Sequence, residues 1–456
     1  MTGPGQSPIY AGLFGDPDSA ALLSPEAELR AMIRVEAALA QVQADLGVIP
    51  AEAGRAIAAI CAGAAPDPAA LGPATTRNGV PVPGLVAALR ARMEDSPQAQ
   101  YLHWGATSQD IVDSALALRL RDVLALWQSR LDAVLGRLAA MAADHADLAM
   151  AARTYGQVAT PTSFGAIVAG WGRPLLHHRQ DLDRVRSQVL RLSLSGAAGT
   201  LAAMGPEGPQ VRAGLARALD LADPGFGWHS DRSGPGVLAD WCAALAASLG
   251  KLAEDLLLMT QSGLDLVRIE GAGASSTMPQ KQNPVGPSAM VALSRHALGL
   301  ADVFRAAGLH RQNRDGAAWF TEWLTLPPLT LGVGALLLRA DEVLGKLSPD
   351  ARAMQRDLGA GQGTIHAEAL SFALSETRGM DRVAALGQVA SLCLRALASG
   401  VDLLDLAATE WPGEDWHRRV AARSLGTAPD EARAFAAALG PAAGGPKPRP
   451  SGAPGR

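Results

Sequence analysis

The stretch GAGASSTMPQKQNPV, residues 271–285, decides how this chain is interpreted. Its two leading glycines tolerate backbone angles that other residues avoid, so they predict a loop that can move. Proline favours the first turn of a helix, and Pro279 or Pro284 is therefore predicted to mark where the loop becomes a helix. Ser275 and Lys281 would then lie close to helix-terminal N–H groups, where anions bind readily.

A surface linker is the simplest alternative, because Gly, Ser, Pro and Asn are the common turn formers. Against it, ASSTMPQKQNP resembles the GSSxMPxKxNP signature of the fumarase/aspartase superfamily, which includes the argininosuccinate and adenylosuccinate lyases. The chain departs from the signature at Ala274, which replaces a glycine, and matches it elsewhere. A match of this length is too specific for ordinary turn chemistry.

Composition predicts an all-α fold in more than one domain. Aromatic residues make up only 4% of the 456 residues, alanine and leucine are abundant, and strands prefer aromatic and β-branched side chains. A chain of this length exceeds what one hydrophobic core usually serves. The net charge of −4 gives no indication of a nucleic-acid or anionic-membrane partner.

Other features predict a cytoplasmic enzyme without a cofactor. The three cysteines are far apart in sequence and fit reduced thiols better than disulfides or a zinc site. The N-terminus lacks a basic region followed by an apolar run, and charges are expected to interrupt every apolar segment before membrane-spanning length. There is no metal-binding motif, P-loop or dinucleotide fingerprint, so no metal or cofactor is expected.

Hydrophobic periodicity predicts three helical domains and a tail. The first, residues 1–100, starts with an irregular arm to residue 24, continues with helices from Pro25 and Ala51, and ends in turns. Residues 101–347 hold five long helices, with a largely irregular connector over 195–236. Residues 348–439 form a C-terminal helical domain, and the Pro/Gly-rich tail 440–456 is predicted to be disordered.

Three turn-like segments precede long helices: HWGATSQD (103–110), RTYGQVATP (153–161) and ASSTMPQKQNP (274–284). The first two also resemble signature regions of the superfamily, and the three occur in its order. The resemblance therefore covers essentially the whole chain. It implies a central bundle of five long helices per subunit and a homotetramer in which each active site takes its three signatures from three subunits.

The third signature carries the predicted catalytic groups. The superfamily reaction forms an aci-carboxylate, whose doubled negative charge calls for preorganised donors. Lys281 as a fixed cation and Asn283 as a neutral donor suit this role. By resemblance, Ser275 is the general base or acid, which needs a stabilised deprotonated form. Ser276 either contacts substrate or caps the loop, and Met278 is placed among the substrate-binding residues.

The first signature supplies predicted substrate contacts. Thr107, Ser108 and Gln109 match positions that bind substrate carboxylates in the superfamily, and the same side chains could cap the following helix. Asp110 is interpreted as a cap rather than a ligand. His103 aligns with a substrate-region histidine of the adenylosuccinate lyases; a packed histidine beside a tryptophan is the alternative.

The second signature departs most from the superfamily. Tyr155 occupies the position after Arg-Thr at which fumarases and the amino-acid-linked lyases carry a histidine. Thr154, Gln157 and Thr160 remain as candidate substrate contacts. A tyrosine with a pKa near 10 is a weaker proton shuttle around neutrality. The reaction should therefore not depend on a histidine to protonate a leaving group.

That departure resembles the 3-carboxy-cis,cis-muconate cycloisomerase branch, which carries an aromatic residue there. GWHSDR (227–232) and WFTEWLTLP (319–327) extend the resemblance. It implies lactonisation of a tricarboxylate in protocatechuate breakdown, with cations lining the pocket. Arg314 matches a carboxylate-binding arginine, and Arg153 is a second candidate for which a structural salt bridge is equally compatible. The alternatives are adenylosuccinate lyase or another superfamily lyase, and a non-catalytic helical scaffold.

Overall fold

The computed structural model describes residues 5, 7–94, 96–271, 273–274, 277–278, 280–421 and 425–440. As the composition predicts, these residues are mostly helical. The helices are, in chain order, α1 (Ala11–Phe14), α2 (Pro17–Leu22), α3 (Pro25–Asp45), α4 (Ala51–Ala62), α5 (Pro68–Asn78), α6 (Val82–Arg92), α7 (Ser108–Asp144), α8 (Phe164–Val189), α9 (Gly208–Leu219), α10 (Ser233–Met259), α11 (Val285–Ala306), α12 (Gly316–Leu344), α13 (Ala351–Gly359), α14 (Ala367–Arg378), α15 (Arg382–Ser399), α16 (Leu403–Glu410), α17 (Trp416–Ala421) and α18 (Ala428–Ala438).

Short strands and 3-10 helices connect them. The strands are β1 (Ala149–Thr154), β2 (Gln157–Ser163), β3 (Val267–Ile269), β4 (Gly273–Ala274), β5 (Gln282–Asn283) and β6 (Leu347–Pro349). They form three separate antiparallel pairs, β1 with β2, β3 with β6 and β4 with β5. The 3-10 helices are Pro97–Tyr101, Ala202–Glu207 and Thr364–His366.

The five predicted long helices are confirmed as α7, α8, α10, α11 and α12. Each has at least 22 residues, and α7 is the longest with 37. The helix α12 is long and apolar enough to cross a membrane by length and composition, so charges do not interrupt every apolar run as predicted. Of the most apolar 18-residue window of α12, 61% is buried inside the protein, as expected of a core helix.

The predicted irregular arm is wrong, because α1 and α2 lie within it. The Asp16 side chain accepts a hydrogen bond from the Asp18 N–H, and Pro17 follows in the first helical turn. An Asp-Pro pair of this kind is a helix-start signal rather than a turn. The Arg130 guanidinium of α7 bonds both oxygens of Asp16, so this cap is also tied to the core.

Two further segments predicted as irregular also contain helices. The turns expected before residue 98 include α5 and α6; each helix has a proline in its first turn, and α5 also contains Pro73 in its interior. The connector over 195–236 contains α9, which buries Val211, Leu215 and Leu219 at four-residue steps. In both cases the Gly and Pro content hid a helical periodicity.

The second signature is a β-hairpin, not the predicted turn that leads directly into a helix. Its strands pair Thr154 with Gln157, so only Tyr155 and Gly156 form the connection. Both have positive φ, 52° and 75°, as a two-residue hairpin turn of type I′ requires. The X-Gly dipeptide between the two strands was the sequence signal for this turn.

The chain divides into two compact units. The first comprises Met1–Leu131, His177–Gly250 and Ala289–Arg339; the second comprises Asp132–Leu176, Lys251–Ser288 and Ala340–Arg456. The first has a core formed around α3, α4, α6, the start of α7 and α9, and the second has a smaller core among α14–α17. The boundaries fall inside the long helices, and the predicted three-domain division stays a prediction.

Within the first unit, α10 and α11 approach closely at Gly250. A Cβ added there would lie 2.3 Å from the Ser294 Oγ, which donates to the Ala246 carbonyl. We expect Gly250→Ala to destabilise the protein by about 1–3 kcal/mol, because either this hydrogen bond or the helix spacing must give way. Urea unfolding would measure it.

The matched control is Gly136→Ala in α7, where an added Cβ would have no atom of a described residue within 4 Å. This change should stabilise by about 0.5–1 kcal/mol through helix propensity alone. Replacing Ser294 by glycine in the Gly250→Ala variant should recover most of the loss. Equal effects of the two alanine substitutions would contradict the close approach.

Candidate active site

The first signature forms the turn before α7, in the first unit. His103 and Gly105 adopt positive φ values of 64° and 72°, which reverse the chain ahead of the helix. Ser108 is the first helical residue and is partly buried. The Thr107 N–H donates to the Asp110 carboxylate at 2.9 Å. This bond confirms that Asp110 caps the helix.

Asp110 does more than cap α7. Its buried carboxylate also accepts hydrogen bonds from the Ser195 N–H (2.8 Å), the Gly196 N–H (3.0 Å) and the His229 Nε2 (2.7 Å). A buried carboxylate is tolerated only when its oxygens are well supplied with donors. The turn before α7, the segment after α8 and the GWHSDR segment are therefore joined at one side chain.

Gln109 points into this interior. Its side chain is fully buried, and its Nε2 donates to the His229 carbonyl at 2.9 Å and the Asp113 carboxylate at 3.2 Å. No described residue donates a hydrogen bond to the Oε1. In this conformation Gln109 braces the signature from inside, and its substrate contact stays a prediction.

An ion triad lies next to Gln109. The buried Arg232 guanidinium bonds Asp113 at 2.7 and 3.2 Å and Glu322 at 2.6 and 2.9 Å, and it stacks over the Trp228 ring at 4.9 Å. Burial opposes the charge of Arg232, but the two carboxylates outweigh it and raise its pKa. Burial also raises the pKa of Glu322, against the opposing effect of Arg232. The GWHSDR segment thus supplies an anchor that the sequence indicated only by resemblance.

Arg314 comes together with Thr107, as the two carboxylate-binding predictions require. Its guanidinium donates to the Thr107 Oγ1 and to the Ala197 carbonyl, both at 3.0 Å, and its side chain remains exposed. Asp315 beside it caps α12 through the N–H groups of Ala317 and Ala318. The Arg311 hydrogen bond lowers the pKa of Asp315, which keeps this cap ionised. The loop before α12 therefore holds the exposed Arg314 guanidinium next to Thr107, where it can contact an anion.

Glu36 is a residue that the sequence reasoning missed. It lies in α3, its side chain is fully buried, and its Oε1 is 2.7 Å from the His103 Nδ1. The second oxygen of Glu36 accepts no hydrogen bond from any residue within the described ranges. Burial opposes protonation of His103, but the hydrogen bond and charge of Glu36 prevail and raise the pKa of the imidazole. The pair therefore favours the protonated form of the ring. Glu36 contacts the Nδ1 of His103 and not its Nε2.

His310 is a second missed residue. Neither of its ring nitrogens has a hydrogen-bond partner in the described part of the chain, although both atoms are buried. Burial lowers the pKa of His310, the nearby charge of Arg232 adds to the effect, and Asp315 and Asp113 oppose it. Burial and the charge of Arg232 therefore disfavour protonation of the His310 ring. Its place four residues before Arg314 was the available sequence signal.

The second signature lies in the second unit. Both fork nitrogens of Arg153 bond Asp357, at 2.6 and 2.8 Å. This is the structural salt bridge that the sequence left open as an alternative to substrate binding. Tyr155, at the hairpin tip, is fully exposed. Thr160 on β2 lines a cavity of about 470 Å³ that also includes His366.

The third signature also lies in the second unit. Ser275, Ser276 and Pro279 lie outside the described residues. The strands β4 and β5 pair Gly273 with Asn283, so the segment returns on itself as a short ribbon. The helix α11 begins directly after Pro284, as one of the two predictions for the helix start states.

Lys281 and Asn283 line a cavity of about 740 Å³. The Lys281 N–H donates to the Met278 carbonyl at 3.0 Å, and Met278 is partly exposed. Besides Lys281, the charged lining residues are Asp265, Arg268, Asp350, Arg352 and Arg356. Four basic and two acidic side chains make this cavity suited to an anion.

The described residues contain one group with the spacing of metal ligands. Asp402, Asp405 and His417 bring ligand atoms within 4.8 Å of one another. Asp402 caps α16 through the Leu404 N–H, and His417 Nε2 is 2.8 Å from Asp405. The group is largely exposed and its members already have partners, so ordinary surface pairing accounts for it.

The Glu36–His103 pair predicts a pH-dependent stability. Because the folded pKa of His103 is raised, its contribution is complete below the unfolded value near 6.5 and is lost as pH rises through the folded pKa. We expect Glu36→Gln to destabilise by about 1–3 kcal/mol at about pH 5.5 and by less at about pH 8.5. Urea unfolding at both pH values measures the difference.

Glu26→Gln is the control, because Glu26 is an exposed residue of the same helix. Its effect should be small and nearly equal at the two pH values. A Glu36→Gln effect that is constant or grows with pH would contradict a protonated His103.

Comparisons with known proteins agree with these signatures. A family model described as lyase matches residues 10–299. The 3-carboxy-cis,cis-muconate cycloisomerase of Pseudomonas aeruginosa is 40% identical over 383 residues, 83% of each chain. Trans-aconitate decarboxylase 1 of Mycosarcoma maydis is 34% identical over 86% of this chain and 80% of its own.

The fold has close counterparts among solved structures. The 3-carboxy-cis,cis-muconate lactonizing enzyme of Pseudomonas putida superposes with a TM-score of 0.89 at 32% identity, over 95% of this chain and 99% of that one. The resemblance predicted from the three signatures is thereby confirmed. With a family model matched over more than half of its length and a relative 40% identical across most of both chains, this chain belongs to the lyase family.

Proposed function

We propose that this protein is a cycloisomerase that converts 3-carboxy-cis,cis-muconate to 4-carboxymuconolactone in protocatechuate breakdown. The observation that carries the proposal is its 40% identity, over 83% of both chains, to a protein of that name. The tyrosine at position 155 supports it, because an internal addition has no separate leaving group for a histidine to protonate.

The proposed reaction forms one C–O bond and one C–H bond at the expense of one C=C π bond, with a single proton transferred. A carboxylate oxygen of the substrate forms a C–O bond to one alkene carbon, and the alkene electrons pass into the neighbouring carboxylate as an aci-carboxylate. Lys281 and Asn283 stabilise this dianion, since donors aimed at developing charge supply most of the catalysis. The hydroxyl of Ser275 then delivers its proton to carbon and is reprotonated from solvent.

The three substrate carboxylates need cations and donors. Arg314 and Thr107, which share a hydrogen bond at the rim of the first unit, are suited to one carboxylate. His103, whose Nδ1 lies 2.7 Å from the buried Glu36 carboxylate, is suited to a second. The basic cavity around Lys281 is suited to the carboxylate that becomes the dianion.

We further propose that the enzyme is a cytoplasmic homotetramer with active sites shared between subunits, without a nucleic-acid or membrane partner. The first signature lies in the first unit, and the other two lie in the second. The full exposure of Tyr155, an aromatic side chain within a signature, supports a contact supplied by another subunit.

An ultraviolet assay tests the activity directly. Purified protein mixed with 3-carboxy-cis,cis-muconate should bleach the absorbance of its conjugated diene as the lactone forms. Adenylosuccinate elimination would instead change a purine chromophore. Absence of bleaching by a folded preparation would overturn the proposed function.

Ser275→Ala tests the proton donor. We expect turnover to fall by about 10²–10⁴-fold, the usual contribution of a positioned acid or base, while the oligomer mass is unchanged. Ser399→Ala, at the exposed end of α15, is the control and should retain full turnover. Wild-type turnover in Ser275→Ala would remove serine from this role.

Arg314→Gln tests carboxylate binding. Loss of a charge-assisted contact should raise KM for carboxymuconate by about 10–100-fold, with a smaller change in kcat. Arg305→Gln, which removes an exposed arginine of α11, is the matched control and should leave KM unchanged. An unchanged KM in Arg314→Gln would contradict the assignment.

Decarboxylation of trans-aconitate is a second candidate function. A relative that is 34% identical over most of this chain is named for it, and trans-aconitate is also a small tricarboxylate. Incubation with trans-aconitate would distinguish the two functions, because decarboxylation releases carbon dioxide whereas lactonisation conserves every atom of its substrate.

A further inference from the structure

A second cavity, of about 550 Å³, lies in the first unit among α3, α5, α7 and α12. Its volume is within the range of ligand-binding cavities, and its walls are largely apolar. The main apolar lining residues are Leu29, Met32, Leu71, Leu116, Trp323 and Leu326. None of these belongs to the predicted substrate-binding set.

Most polar groups in the walls already have partners. Thr75 and Thr76 donate to carbonyls of their own helix at 2.9 and 3.0 Å, and Thr330 does the same in α12 at 2.9 Å. Glu322 is held by both fork nitrogens of Arg232. These groups therefore do not call for a polar ligand.

Arg119 differs from them. Its side chain is only 12% exposed, and its buried Nε has no hydrogen-bond partner among the residues that the structure describes. The Glu28 carboxylate is 3.7 Å from its Nη2, beyond hydrogen-bond distance, and is more exposed than Arg119. Burial lowers the pKa of Arg119, although the Glu28 charge opposes the shift. A guanidinium at an apolar cavity thus retains unused donors.

We propose that this cavity binds a small monocarboxylate with an apolar acyl or aryl body. The carboxylate accepts from the Arg119 guanidinium and replaces the distant Glu28, which turns towards solvent. The body fills the space between Met32, Leu71 and Trp323. Guanidinium and carboxylate match in geometry, and the apolar walls favour a ligand whose remaining surface is hydrocarbon.

The cavity shares a wall with the ion triad. Glu322 lines it and bonds Arg232, which bonds Asp113, which in turn accepts from Gln109 of the first signature. A ligand packed against Glu322 therefore acts on the residues that brace the signature. Given the proposed function, occupancy should change KM for the tricarboxylate more than kcat.

Direct binding tests the site without any turnover. Isothermal titration of the full chain with phenylbutyrate should show saturable binding of one molecule per chain, and the neutral phenylbutyramide should bind at least about tenfold more weakly. Arg119→Gln should weaken phenylbutyrate binding by about 10–100-fold. Leu116→Trp, which fills the cavity, should abolish it.

Arg121→Gln is the matched control, because Arg121 lies on the same helix and bonds the Leu219 carbonyl instead. It should bind phenylbutyrate as the wild type does. The proposal is overturned if the wild-type chain shows no saturable binding, if acid and amide bind equally, or if Arg119→Gln retains wild-type affinity.

The effect on KM is measured separately, with carboxymuconate as substrate. Phenylbutyrate should change KM at least about twofold in the wild type and leave Arg119→Gln unaffected. Inhibition that persists in Arg119→Gln would place the probe at the substrate site and overturn the coupling. If the chain binds phenylbutyrate but does not turn over carboxymuconate, the proposed function is contradicted and the proposed binding site is not.

Discussion

The carboxylate of Asp110 holds three distant parts of the first unit together. It accepts from the Thr107 N–H, from two N–H groups after α8, and from His229 in the GWHSDR segment. Removing a carboxylate from water is costly, and four donors to one side chain offset that cost only when all are in place. The geometry of the first signature therefore depends on segments more than 80 residues away along the chain.

A second acid extends the same arrangement. Asp113 lies three residues after Asp110, so the two carboxylates project from one face of α7. Asp113 binds Arg232, which also binds Glu322 of α12. Breaking such a buried pair strands an uncompensated charge and costs about 3–5 kcal/mol. The buried charges thus hold α7, the GWHSDR segment and α12 together. Arg314, which is proposed to contact substrate, is instead exposed at the surface.

Sequence reasoning succeeded where the signal is local. Regular apolar spacing over many residues predicts the five long helices, and α11 begins directly after Pro284, one of the two prolines predicted to mark its start. A turn at Tyr155–Gly156 was predicted, but the strands β1 and β2 on either side of it were not, because these short segments lack the alternating apolar pattern of a half-buried strand. Sequence reasoning could not find Glu36, because its partner His103 is 67 residues away and only tertiary packing pairs them.

The same limit explains why Arg153 and Gln109 were ambiguous. The sequence shows that a side chain is charged or polar. Only the folded structure shows whether its hydrogen-bond donors and acceptors are already bound to another residue. Both terminal guanidinium nitrogens of Arg153 bond Asp357, and the Gln109 side-chain amide donates to the buried Asp113 carboxylate.

The proposed internal addition is consistent with a tyrosine, rather than a histidine, at position 155. An elimination needs one group to remove a proton and another to supply one to the leaving atom, whereas an internal addition needs a single proton delivered to carbon. The loss of a histidine at position 155 removes a proton carrier that the addition does not require. What the reaction does require is positive charge, because the substrate brings three carboxylates and the intermediate adds to them. In the proposed site, Arg314, His103 and the basic cavity at Lys281 supply that charge; the Ala197 carbonyl positions the Arg314 guanidinium, and the Glu36 carboxylate positions the His103 ring.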